Sequence, residues 1–180
     1  MNSKLEVRSV NDFSLDGGKL VGYAARFNVP SDDLGGFIET IKPGAFTRTL
    51  VERPDVFVLF EHDHTQVIGR TLNGSLTLAE DEMGLRFSVT PNDTSWARDA
   101  MELVRRGDLA GMSFGFRVPQ GGYTIDTSQS PALRTLHDID LYEVSLTSLP
   151  AFPQTDVSIR SIVSTNNNIA RARLSLAQIL

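Results

Sequence analysis

Apolar and polar residues alternate along much of the chain, and the alternation predicts strands. Leu5-Glu6-Val7-Arg8 and Leu20 to Phe27 read as two strands, with Asp16-Gly17-Gly18 as a turn signal between them. Val56 to Phe60 is continuously apolar, as expected of a strand buried on both faces. Ser75 to Glu80 and Leu85 to Val89 alternate on either side of Asp81-Glu82-Met83-Gly84, which predicts a hairpin. Met112 to Val118, Leu136 to Leu146 and, more briefly, Val157 to Ile159 alternate as well.

Two segments carry the helical period instead. The first runs from Pro43, a good first-turn residue, to Pro54. The second runs from Ser95 to Arg106, with Asp93 or Thr94 as cap. Trp96, Ala100, Leu103 and Val104 form one apolar stripe, and Gly107 follows the last turn. Gln120 to Pro131, rich in Gly, Ser and Thr, reads as a long surface loop. Ser164 to Asn168 reads as a polar linker before a short basic-apolar segment, Ile169 to Leu180. The pattern predicts a mainly β domain with a few helices (α+β, mostly antiparallel) over residues 1–160. A linker and tail occupy residues 161–180.

Composition narrows the chemistry. The chain has 180 residues, 41% hydrophobic and 22% charged, the ordinary mix of a globular domain. Cysteine is absent, which removes disulfides, thiolate metal sites and a cysteine nucleophile. The net charge of −5 does not suit a general nucleic-acid binder. The apolar runs are far shorter than the roughly 20 residues that a membrane-spanning helix needs. The expectation is a soluble cytoplasmic protein with no nucleic-acid or membrane partner.

Three clusters remain as candidate chemistry. Glu61-His62-Asp63-His64 follows the apolar strand. If that strand continues, His62 and His64 share a face and either can move protons near neutral pH. Gly111-Met112-Ser113-Phe114-Gly115 fits the bare G-x-S-x-G pattern, but in a helix-to-strand context unlike the hydrolase elbow. Glu143 lies in an apolar strand, where simple alternation puts it on the face of Leu141 and Ser145. A carboxylate there needs a partner. Serine, histidine and an acidic residue are the ingredients of a nucleophile, its base and an orienting anion. With only His62, His64 and His137 present, the base is one of three. The other reading of the first cluster is a divalent-metal site built on His62 and His64.

Four ordered segments resemble the prohead maturation proteases of tailed bacteriophages, which are similar to the assembly proteases of herpesviruses. They are Gly22 to Phe27 with Ile41 to Phe46; Phe60 to Asp63 with Ile68-Gly69-Arg70; Gly107 through Phe116; and Leu141 to Leu146 with Pro150-Ala151. The resemblance implies a herpesvirus-protease-like β-barrel surrounded by a few helices, and a serine endopeptidase that requires no metal or cofactor. Ser113 matches the nucleophile, His62 the base and Glu143 the third member, with His137 as a competitor for the last role. Arg70 and Arg117 are candidates to assist the oxyanion. Glu61 departs from the small polar residue that many relatives carry before the histidine. The implied substrates are capsid-protein and scaffold segments inside the immature shell in the host cytoplasm. The implied activity includes self-cleavage, for which the linker at Ser164 to Asn168 is an accessible place, and a homo-oligomer is compatible with it. A catalytically silent head protein of the same fold is the alternative.

Overall fold

The structure, a computed structural model, describes residues 5–53 and 55–148. The first strands are β1 (Glu6–Val10), β2 (Phe13–Asp16), β3 (Lys19–Arg26) and β4 (Phe37–Ile41), followed by helix α1 (Thr47–Glu52). Strands β5 (Phe57–Phe60), β6 (Asp63–Arg70), β7 (Leu76–Glu80) and β8 (Gly84–Val89) come next, then helix α2 (Ser95–Arg106). The last strands are β9 (Gly111–Arg117), β10 (Tyr123–Asp126), β11 (Ala132–Leu136) and β12 (Asp140–Thr147).

These strands pair into three sheets, ordered β1-β9-β12-β5-β6, β2-β3-β8-β7 and β10-β11-β4. Pairing is antiparallel except for β12 with β5 and β11 with β4. The mainly β character with a few helices is as expected. Among the described residues no sheet closes on itself, because β1 and β6 are both edges of the five-stranded sheet. A closed barrel is therefore not drawn by the strand pairing. One core cluster joins residues of all three sheets. Phe46, Phe114 and Phe116 are buried at its centre, with Phe46 edge-on to Phe114 and Phe114 stacked on Phe116.

Helix α2 has the predicted bounds. The Thr94 side chain accepts the N–H of Ala97, and Gly107 takes the left-handed conformation (φ 80°) that ends the helix. Trp96 Nε1 donates to the Val67 carbonyl at 3.0 Å and ties the helix to β6. Helix α1 is shorter than predicted. Gly44 (φ 91°) cannot be helical, and Phe46 N–H donates to the Glu80 carboxylate at 2.9 Å instead of entering a first turn. The segment from Gln120 to Pro131 is not only loop, because β10 lies inside it. All four β10 residues are exposed on an edge strand, so its composition is that of a loop while its backbone pairs with β11. Alternation from Leu136 to Leu146 is broken at residues 137–139, where Arg48 binds both Asp138 and Asp140 and holds a corner. Pro54, Val157 to Ile159, the boundary near residue 160 and the tail lie outside the described residues.

Two sheets are joined by charge. Glu39, nearly fully buried, accepts from Arg8 at 2.8 Å and from Arg134 at 2.9 Å, and Glu6 binds the same two guanidiniums. Burial pushes the Glu6 carboxyl up, but hydrogen bonds and charge from Arg134 and Arg8 outweigh it and hold it below its ordinary value of 4.5. Stability from this shift is complete above the unfolded-state value and is lost as pH falls through the lower folded one. Arg134→Ala leaves Glu39 with a single cation in the interior. Urea titration at neutral pH is expected to show a loss of about 3 kcal/mol.

Candidate active site

The chain reverses directly after β5. Phe60 pairs with Asp63, so Glu61 and His62 are the only residues of the turn, with φ of 50° and 60°. Positive φ at both central positions is the pattern of a type I′ turn, which favours Asn, Asp and Gly. The expectation that His62 and His64 share a strand face is therefore corrected. His62 occupies the turn, and His64 is exposed on β6. Asp63 folds the start of β6 by accepting from Thr65 and Gln66. The Thr65 hydrogen bonds are the main cause that holds its carboxyl below the ordinary range.

The pairing of β9 with β12 shifts between Leu141 and Glu143. Leu141 stands opposite Phe116 and Glu143 opposite Gly115, which leaves Tyr142 as the extra residue. The shift puts Leu141 in the core and Glu143 on the other face, correcting the simple alternation. Glu143 is 3% exposed. Its Oε1 lies 2.8 Å from His62 Nδ1, and its Oε2 accepts the Ser145 hydroxyl at 2.5 Å. An ionised carboxylate only accepts, so in this pairing Nδ1 carries the proton, and in the neutral form of the ring Nε2 is the nitrogen with the lone pair. His62 Nε2 is buried without a hydrogen-bond partner. Gly115 makes this arrangement possible: a Cβ there would sit 2.3 Å from Glu143 Oε1.

Ser113 is two residues before Gly115 on the same face of β9, about 7 Å along the strand. It pairs with Ser145 on β12 and with Ser9 on β1, and it is fully buried. Its hydroxyl donates to the Arg8 carbonyl at 2.9 Å, not to His62. The structure thus joins His62 to Glu143 and sets Ser113 on the neighbouring step of the same sheet face.

The model of the caudovirus prohead serine proteases matches residues 3–168. The chain belongs to this family. The prohead protease of Enterobacteria phage HK97 is 35% identical over 153 residues, which cover 81% of this chain and 62% of that protein. No solved structure matches.

In this member of the prohead protease family, His137 stands apart from the His62–Glu143 pair. It is exposed at the end of β11, with Nε2 2.9 Å from the Thr124 hydroxyl. Arg70 is engaged by Asp55 and lies over the Phe57 ring. Arg117 shares the Ser113 side of β9 by alternation, and its guanidinium lies 5.2 Å from the Tyr142 ring centre. Among the described residues no three His, Asp or Glu side chains converge as a metal site, and no helix is long and apolar enough to cross a membrane. A cleft of about 300 Å³ is lined by Arg8, Arg26, Glu39, Ile41 and Phe114. Its lining includes Phe114, on the face of β9 opposite Ser113, and also Ser9, the register partner of Ser113 on β1. Sequence reasoning missed Ser145 and Gly115 as partners of Glu143. The signal was there in the i, i+2 spacing of Glu143 and Ser145 on one strand.

Proposed function

We propose that the protein is a serine endopeptidase that cleaves capsid-protein and scaffold segments, and itself, during phage prohead maturation. It acts inside the immature shell in the host cytoplasm. The observation that carries this reading is the His62–Glu143 hydrogen bond, with Nε2 left without a hydrogen-bond partner. Ser113 turns its hydroxyl from the Arg8 carbonyl to His62 Nε2 and attacks the substrate carbonyl. His62 takes the proton and later gives it to the leaving amine. Glu143 holds the imidazole in the working tautomer and balances the imidazolium. Backbone N–H groups, with Arg117 nearby, stabilise the oxyanion, and water releases the acyl group. Residues 1–160 form the protease domain in this reading, and its three sheets are the counterpart of the herpesvirus-protease barrel.

Co-expression with the capsid protein of the same phage tests the reading. Shortened chains on a gel, with cut ends defined by mass spectrometry, are the expected result. Full-length chains throughout would favour the silent head protein instead, a reading to which the Ser113–Arg8 hydrogen bond lends some support.

A further inference from the structure

Glu61 sits in a turn conformation that does not suit it. Its φ of 50° favours Gly, Asn or Asp, and such strain persists only where the surroundings over-determine the backbone. The surroundings here are the end of β12. Glu61 N–H donates to the Leu146 carbonyl at 2.9 Å, continuing the parallel pairing of β5 with β12. The Glu61 carboxylate then reaches past it: Oε1 accepts the backbone N–H of Ser148 at 2.7 Å, and Oε2 accepts the Thr147 hydroxyl at 3.3 Å. The same β12 carries Glu143, and the same turn carries His62. One side chain thus fastens the element holding the base to the element holding its carboxylate.

We propose that Glu61 is a positioning residue, a latch that fixes the His62 turn against β12 and so keeps His62 Nδ1 on Glu143. The inference rests on the proposed role of His62 as base. Without the latch the turn keeps its strand ladder but loses the contact that sets its tilt. A displacement of about 1 Å at a reacting group can cost as much as a hundredfold in rate.

Three variants separate the latch from simple turn chemistry. Glu61→Gly and Glu61→Asn suit the positive φ better than glutamate but cannot reach Ser148. Glu61→Gln keeps one oxygen to accept the Ser148 N–H. The substrate is a peptide spanning a cut site mapped in the co-expression experiment. Beside kcat and KM, two further readouts are the melting temperature and the proton NMR signal of His62 Nδ1–H, assigned by its absence in His62→Ala. Glu61→Gly and Glu61→Asn are expected to lower kcat about tenfold with KM within about twofold, and to broaden or lose the signal. Glu61→Gln is expected to retain the signal and kcat to within about threefold. Wild-type kcat and an intact signal in Glu61→Gly would overturn the latch. So would a loss of rate that follows the melting temperature alone in all three variants. If Ser113→Ala proves active, the catalytic reading fails, and the NMR signal still decides whether Glu61 holds the His62–Glu143 pair.

Discussion

Ser113→Ala is expected to abolish cleavage while leaving the protein folded. The substitution removes one hydroxyl and keeps the Cβ and the backbone pairing of β9 with β1 and β12. Its structural cost is the hydrogen bond to the Arg8 carbonyl, about 1 kcal/mol. Its chemical cost, in the proposed mechanism, is the nucleophile. Where serine and histidine act as a unit, loss of the serine lowers kcat by roughly a million-fold. Co-expression with the capsid protein should then leave every chain full length, with circular dichroism and melting close to wild type. The control that gives the experiment its force is Ser145→Ala. Ser145 lies directly opposite Ser113 and is bound to the same carboxylate that holds His62. If Ser113→Ala still cuts and Ser145→Ala does not, the nucleophile is on β12 and the mechanism must be rebuilt around it.

Parts of this architecture were legible in the sequence because local signals agreed with the final fold. Thr94, the apolar stripe and Gly107 define α2 by local chemistry alone, and the β7–β8 hairpin follows from alternation around Asp81 to Gly84. Strand β10 was hidden because it is only four residues long and fully exposed, so the brief alternation of Tyr123-Thr124-Ile125-Asp126 is lost within a run of Gly, Ser and Thr. The Glu61-His62 turn was hidden because it lacks the glycine or asparagine that announces positive φ; its surroundings impose the conformation. Glu143 and Ser145 share a face as simple alternation predicts, but Leu141 does not, because one extra residue, Tyr142, reverses everything before it. The three candidate side chains were legible as residue types, and the resemblance assigned their roles. Their meeting was not legible. His62 and Glu143 are 81 residues apart, and what joins them is the parallel pairing of Phe60 with Leu146, which no local pattern encodes.

The acidic member can be tested more sharply than by deletion. Glu143→Gln keeps the volume of the side chain in its nearly closed site and exchanges one oxygen for an amide nitrogen. The Ser145 hydroxyl, which donates to Oε2 in the wild type, keeps an acceptor if the amide oxygen stays on its side. The NH₂ group then faces His62 Nδ1, which must accept. The ring proton moves to Nε2, the atom that takes the proton from Ser113 in the proposed mechanism. The fold survives and the base is lost, so cleavage is expected to fall about ten-thousand-fold at neutral pH. His137→Ala, at an exposed site whose side chain is bound to the Thr124 hydroxyl, is expected to cut within about twofold of wild type. Cleavage rates of the two variants, measured on the same substrate, separate the candidates. A loss of less than about tenfold in Glu143→Gln would mean that the carboxylate sets neither the tautomer nor the charge of His62. A comparable loss in His137→Ala would transfer the role to a histidine that must move from the end of β11 to reach the site.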